Sequence, residues 1–325
     1  MDATIVIPTK NAGDAFDAVL ERVFAQETKY QYEVIIVDSG STDKTLDITR
    51  KYPARLIEIP PEDFGHGKTR NFGASQGSGE FIVFITHDAL PYDRHWLENL
   101  LNAMNMSDDI VGGFGRHEPY PDCNLFDKRD IVLHFNGFGS GDTIYWLDDP
   151  ERYNSEEGYR HFLSFFSDNN SCLRRSVWEK IPYDDVDFAE DQIWCRKIIE
   201  MGYKKVYSPD ACVYHSHNYP LKTYFTRFYD EYKGHYEIQQ YRIVTSPLKV
   251  YPLAAKLTIG DIKYVMAQKS LTLKSKTYWI YYAARKNLYR VRAGYLGGKY
   301  HLWSDKKKLK MDKKHSQLYA QMNSK

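Results

Sequence analysis

The stretch Phe81-Ile82-Val83-Phe84-Ile85 constrains this chain most: five apolar residues in a row, stopped by Thr86-His87-Asp88. A continuous apolar run suits a strand covered on both faces, as in a parallel sheet flanked by helices. In such a sheet ligands are met beyond the carboxyl ends of the strands, which is where Asp88 falls. Two upstream runs repeat the pattern. Ala3-Thr4-Ile5-Val6-Ile7 closes on Pro8 and Thr9, and Tyr32-Glu33-Val34-Ile35-Ile36-Val37 ends on Asp38. Between them Phe16, Val19, Leu20, Val23 and Phe24 recur at helical spacing, with Asp14 placed as a cap. A short strand over 55–59 and a helix opened by the Gly-rich segment 64–73 continue the alternation. This order predicts an α/β fold with a doubly wound, mostly parallel, Rossmann-like sheet. No G-x-G-x-x-G follows the first strand and no Walker-type lysine loop occurs, which disfavours dinucleotide binding.

Further along, residues 115–165 are rich in Gly, Pro, Asp and aromatics and read as a long functional loop region. An acidic stretch over 184–191 precedes a helix over 191–201, ended by Gly202, and two short extended pieces follow at 206–209 and 212–217. Charge then switches. Residues 1–217 hold 22 Lys and Arg against 37 Asp and Glu, whereas 218–325 hold 22 against 6. Such asymmetry points to two segments with different partners: 1–217, in halves of about 1–110 and 111–217 where the regular alternation gives way, and a basic, aromatic, helical region over 218–325. Tyr224, Phe225, Phe228, Tyr229 and Tyr232 fall at helical spacing there, and the last 20 residues read as frayed. The four cysteines, Cys123, Cys172, Cys195 and Cys212, form no C-x-x-C pair and read as reduced structural thiols. No apolar run approaches the roughly 20 residues a membrane span needs, and Thr4-Ile5-Val6-Ile7 reads as a strand rather than a signal peptide. The expected location is cytoplasmic.

Asp38, Asp88, Glu190 and Asp191 punctuate strand or helix ends. Each alone reads as a cap or turn acid, but together they point to a cleft. Asp88 suits a hard divalent cation that keeps phosphate oxygens as partners. Asp191, at a helix start, is placed to take a proton from an attacking hydroxyl. His215 and His217 alternate on an extended segment and are expected to face opposite ways, one of them as a metal ligand.

Several blocks are specific together: Ile7-Pro8-Thr9-Lys10-Asn11, Val37-Asp38-Ser39-Gly40-Ser41-Thr42-Asp43, and Glu190-Asp191. On these, from Thr4 to about Tyr219, the chain resembles the family 2 inverting glycosyltransferases of GT-A fold. It looks most like bacterial rhamnosyltransferases through Phe64-Gly65-His66-Gly67-Lys68-Thr69-Arg70-Asn71, His87-Asp88-Ala89, Phe165-Phe166-Ser167-Asp168-Asn169-Asn170 and His215-Ser216-His217-Asn218-Tyr219. The resemblance implies that Pro8, Thr9, Asp38 and Arg70 bind the nucleotide, Asp38 accepting from the base N–H. It implies Asp88 and His215 as ligands of a divalent cation, Mg2+ or Mn2+, and Asp191 as catalytic base. His66, His87, Asn170, Glu190, Trp194 and His217 are expected donor-sugar or acceptor contacts. The chain departs from the family's usual D-x-D metal motif, having Thr86 at the first position.

The implied activity is inverting transfer of a sugar, L-rhamnose from dTDP-rhamnose in the first place. The acceptor would be a polyprenyl-linked or oligosaccharide hydroxyl of a cell-surface polysaccharide. The alternatives are a UDP-hexose-dependent transferase or a silent carbohydrate- or membrane-binding module. The basic region reads either as amphipathic helices on the inner face of the plasma membrane or as a surface packed on protein, a homo-oligomer included. Nucleic acid is disfavoured as a partner.

Overall fold

A computed structural model describes residues 1–186, 188–239 and 241–322. Asp187, within the acidic stretch, and the last three residues of the expected frayed tail lie outside the described residues. Two compact units make up the chain, Met1–Ser216 and His217–Lys325.

The first unit holds one nine-stranded sheet: β1 (Ala3–Thr9), β2 (Tyr32–Asp38), β3 (Arg55–Glu58), β4 (Phe81–Ile85), β5 (Leu90–Pro91), β6 (Ile110–Glu118), β7 (Thr143–Tyr145), β8 (Asn170–Arg174) and β9 (Lys204–Tyr214). Its order is β3-β2-β1-β4-β8-β6-β9-β5, with β7 on β9. The first four strands are parallel, as their apolar runs predict. β8 then inserts antiparallel between β4 and β6, and β6 pairs parallel with β9. The sheet is thus mixed on one side. This insertion brings the start of β8 to the carboxyl end of β4, where the site forms.

Alternation along β4 feeds two cores: Phe81, Val83 and Ile85 face one, Ile82 and Phe84 the other. Helices α1 (Ala15–Phe24), α2 (Thr45–Thr49), α3 (His66–Ser75), α4 (Trp96–Met104), α5 (Leu125–Asn136), α6 (Pro150–Ser155), α7 (Glu157–Ser164), α8 (Arg175–Trp178) and α9 (Glu190–Glu200) cover the sheet. Phe16, Leu20, Trp96 and Leu100 of α1 and α4 fill the first core; Trp194, Ile198 and Ile199 of α9 fill the second. All four cysteines are buried and free.

Three local expectations change. Residues 115–165 are not one loop but carry α5, β7, α6 and α7, because their aromatics pack: Phe138 stacks on Phe162 and Phe165, and Phe135 on Tyr207. Asp14 sits ahead of α1 without a side-chain cap bond. The two extended pieces near 206–217 are one strand, β9, running through Pro209. A register irregularity between Gly115 and His117 of β6 accommodates that proline.

The second unit is helical: α10 (Leu221–Gln239), α11 (Val250–Ala267), α12 (Leu273–Gly297), α13 (Asp305–His315) and α14 (Gln317–Met322). Close approach of α12 to α10 needs glycine, since a Cβ on Gly297 would lie 2.6 Å from the Tyr229 carbonyl oxygen. The expected frayed tail is instead helical to Met322. Tyr229 and Tyr300 hydroxyls donate to Asp312, and Asp230 accepts from the Gln317 and Leu318 amides. Among the described residues no helix is long and apolar enough to cross a membrane.

Candidate active site

The carboxyl ends of β1 and β2 carry the first group. Gly40 turns at φ +88° and lets the chain after Asp38 fold back. Asp38, only 1% exposed, accepts from the Thr9 hydroxyl (2.8 Å), the Gly40 and Ser41 amides (3.0 and 2.8 Å) and the Ser41 hydroxyl (2.5 Å). A carboxylate offers about four acceptor sites, and all are used, one by Thr9 at the end of β1 and three within the loop. The sequence places Asp38 against a nucleobase; here its oxygens accept from Thr9 of β1 and from Gly40 and Ser41 of its own turn. Asn11 and Asp43 lace this loop to the one after β1, Asn11 accepting from Thr42 and Asp43 from Gly13.

Asp88 lies three residues beyond the end of β4, and β9 ends one residue before His215. His215 Nε2 lies 3.6 Å from Asp88 Oδ1. The His215 amide is tied to the Glu118 carbonyl on β6, and its ring stands 5.2 Å from that of buried His117. Burial opposes charge on Asp88, but His215, by hydrogen bond and by charge, and then His87 hold its carboxyl well below the usual carboxylate range. His217, two residues on in the same segment, does not face away as strand alternation predicts. The segment beyond Tyr214 is not strand, and the ligand atoms of Asp88, His215 and His217 all lie within 4.8 Å of one another.

A second acid group forms where α3, the start of β8 and the start of α9 meet. Arg70 on α3 is 6% exposed; its Nε lies 3.1 Å from Asp168 and its Nη1 2.8 Å from Glu190. Asp168 also accepts from the Ser171 and Tyr183 hydroxyls, both at 2.7 Å. Asp191, half-buried at the first turn of α9, accepts from the Asp168 amide (3.2 Å) and from the Gln192 amide. Ala189, just before, holds the left-handed conformation at φ 57°, uncommon for a residue with a side chain. Burial, followed by the nearby charges of Asp168 and Glu190, pushes the Asp191 carboxyl well above its ordinary value. Asp168 moves up as well, by burial, with Arg70 pulling against it.

One turn joins the two groups. In Ser167–Asn170, closed by the Asn170 amide on the Ser167 carbonyl, Asp168 binds Asp191 while Asn169 Nδ2 lies 3.4 Å from His215 Nδ1. Asp88 and Asp191, 103 positions apart, therefore flank a single turn. Asp38 stands two strands from β4, with β1 between them, a lateral offset of about 10 Å.

Other expected residues fall elsewhere. Trp194 is fully buried and donates to the Ile181 carbonyl; Asn170 is fully buried between Trp96 and the Ala211 carbonyl. Arg70 and Glu190 face each other inside the protein rather than the solvent. His66 and His87 are half-exposed, His66 opening α3 with its ring against Phe64. Asp168, Asn169, Tyr183 and His117 are the site residues that sequence reasoning passed over. The signal for Asp168 was present as a carboxylate between serine and two asparagines, but its partner Arg70 lies far upstream.

A mixed sheet with acids and an imidazole at the carboxyl ends of its strands fits a GT-A type glycosyltransferase domain. The family model "Glycosyl transferase family 2" matches residues 4–181, and the chain belongs to that family. It is 33% identical over 232 residues, 70% of each chain, to the O-antigen chain rhamnosyltransferase WbaN of Salmonella anatum. It is 31% identical over 237 residues, 71% of each chain, to the O-antigen chain rhamnosyltransferase RfbN of Salmonella typhimurium. Among solved structures it resembles TarS of S. aureus (TM-score 0.53, 15% identity, 93% of this chain and 92% of that one). It also resembles the mannosyltransferase PcManGT of Pyrobaculum calidifontis, in complex with GDP-Man and Mn2+ (TM-score 0.53, 17% identity, 88% and 86%). At that identity the likeness is one of fold.

Proposed function

We propose that this glycosyltransferase moves L-rhamnose from dTDP-rhamnose onto a hydroxyl of a lipid-linked or oligosaccharide acceptor, with inversion at the anomeric carbon. The observation that carries the mechanism is the Ser167–Asn170 turn, which ties the Asp88–His215 corner to Asp191. The choice of rhamnose is supported by the two relatives bearing that name. The polysaccharide context, and work at the inner face of the plasma membrane, belong to the same proposal.

Asp191 acts as general base. A carboxylate of ordinary acidity is a feeble proton acceptor, and a base works best with a pKa near the working pH. The upward push from burial and from Asp168 and Glu190 is in the required direction. Arg70, held by Asp168 and Glu190, keeps that acid cluster together and acts as a positioning residue. Thr9, Pro8 and the loop held by Asp38 line the nucleotide end. There a base N–H takes the place of the Ser41 hydroxyl on Asp38.

The donor set at the other corner suits a divalent cation. One carboxylate held ionised and two imidazoles are nitrogen-rich for Mg2+, which prefers oxygen, and fit Mn2+ better. Asp88, His215 and His217 would hold it, and when bound it supplies charge stabilisation to the departing diphosphate. Direct displacement by the deprotonated hydroxyl gives one inversion.

The test is turnover of a nucleotide-sugar panel with and without EDTA, the anomeric configuration of the product being read by NMR. The proposal expects dTDP-rhamnose to be consumed fastest, Mn2+ to restore the chelated enzyme, and Asp191→Asn to lose about 10²- to 10⁴-fold in kcat. Preference for a UDP-hexose would overturn the donor; a retained configuration would overturn the mechanism.

A further inference from the structure

Between Glu237 and Asp305 the chain carries twelve Lys and Arg and one acid, Asp261. That acid is buried and accepts from Asn287, so it offers the surface no negative charge. Over the same stretch the outer face of α11 reverses the usual order of a helix on a globular protein. Its inner side buries Val250, Ala254 and Val265, yet its outer side carries an apolar stripe as well. Tyr251, Ala255, Ile259 and Met266 follow one another at helical spacing, all exposed. Leu248 just before α11 is 84% exposed and Leu273 just after it 80%. Of the large apolar side chains well exposed among the described residues, seven of eighteen fall between residues 248 and 281. Exposed apolar side chains so concentrated in one segment are the mark of a docking surface.

The charges are arranged to match. Lys249, Lys256 and Lys263 recur every seven residues along the apolar stripe, all exposed and without an ion pair among the described residues. At one end Arg242, Lys249 and Lys256 line a cavity of about 390 Å³ together with Val244, Pro252 and Leu253. Cations beside apolar walls suit a phosphate that carries a hydrocarbon chain.

We propose that α11 and the start of α12 form the surface by which this protein lies on an anionic phospholipid bilayer. Tyr251, Ile259 and Met266 enter the interface, and the Arg242–Lys249–Lys256 cavity takes a lipid phosphate. The inference deepens, and rests on, the reading of the chain as an enzyme of a lipid-linked acceptor. A positively charged apolar face repels a second copy of itself, which is why lipid is the occupant.

The experiment is flotation of the full chain with phosphatidylcholine vesicles, alone or mixed with phosphatidylglycerol. Hydrolysis of dTDP-rhamnose is followed in parallel. Wild type is expected to float with the mixed vesicles and much less with the neutral ones, the difference shrinking at high salt. K249Q/K256Q/K263Q is expected to lose about 100-fold in binding to mixed vesicles. I259S/M266S is expected to lose about ten-fold. Both variants should hydrolyse donor as wild type does. Equal binding to the two vesicle types, or full binding by the lysine variant, overturns the proposal. So does absence of vesicle binding, whether or not the same variants dissolve a dimer seen by sedimentation. Vesicle binding as expected with no turnover of any sugar nucleotide leaves this surface standing and removes the enzymatic reading instead.

Discussion

The carboxylates at 88 and 191 flank one turn, and their surroundings drive them in opposite directions. Asp88 looks onto imidazoles and is held ionised far into acid; Asp191 looks onto two other acids and is pushed towards protonation. Two carboxylates with diverging acidities at one site mark a division of labour. The first is a permanent anion, fit to hold a cation. The second is pushed towards its protonated form by burial and by Asp168 and Glu190, the direction that suits a group taking up a proton. The sequence alone shows two aspartates at element ends; what separates them is the company that the fold brings from elsewhere.

The sharpest way to break this contrast is Asp191→Asn. Loss of a general base lowers kcat by about 10²- to 10⁴-fold, with nucleotide binding, measured by calorimetry, unchanged. Stability moves the other way. An acid whose folded pKa is raised binds its proton more tightly in the native state. Ionising it therefore erodes stability as pH climbs from about 4, the unfolded value, towards the raised one. Asn removes that slope, so the variant melts higher than wild type at pH 7 while the two converge near pH 4. In wild type, kcat/KM rises with pH on its acid limb as Asp191 loses its proton. A variant that loses nucleotide binding along with kcat would make Asp191 a structural acid and end the contrast.

Next in size is Arg70. Replacing it by Met leaves Asp168 and Glu190 buried without their cation, which costs about 3–5 kcal/mol. Urea unfolding measures that loss. The same change removes a positive charge near Asp191, so the acid limb of the pH–rate profile shifts upward in whatever protein folds. Arg70→Lys, unable to reach two carboxylates from a planar fork, falls between the two. A stable Arg70→Met protein with an unmoved pH profile would mean that the guanidinium does nothing for the acid cluster.

The parallel half of the sheet was legible because its strands are unbroken apolar runs closed by acids, a pattern that needs no partner to be read. The antiparallel insertion of β8 was not. Asn170-Ser171-Cys172-Leu173 mixes polar and apolar residues, and its burial at Asn170 and Ser171 depends on Trp96, Ala211 and Asp168 reaching it from other elements. For the same reason Arg70 passed for a nucleotide contact. A cation in a Gly-rich loop next to a ligand site suits phosphate until its two buried acids are seen. The helices of 115–165 were hidden because aromatic packing, not apolar periodicity, holds them: α5 buries only Phe126 and Phe135.

The finest test of the contrast lies in Asn169, which touches the Asp88 corner while its neighbour Asp168 touches Asp191. Its side chain lies 3.4 Å from His215 Nδ1. With the amide NH2 facing the ring, Nδ1 accepts, and the proton sits on Nε2, directed at Asp88. For Nε2 to bind a cation, that proton must go, and Nδ1–H then needs an acceptor. Asn169 supplies one by turning its amide so that Oδ1 faces the ring. Removing such an outer partner weakens metal binding by about 10- to 100-fold. Asn169→Ala should therefore lose Mn2+ affinity by that factor in a calorimetric titration, while Asn169→Asp, an acceptor in every orientation, keeps or improves it. The acid limb of the pH–rate profile, set by Asp191, should stay in place in both. If Asn169→Ala moved that limb and left Mn2+ binding alone, the two corners would not be separable, and the division between cation holder and proton carrier would fail at the turn that joins them.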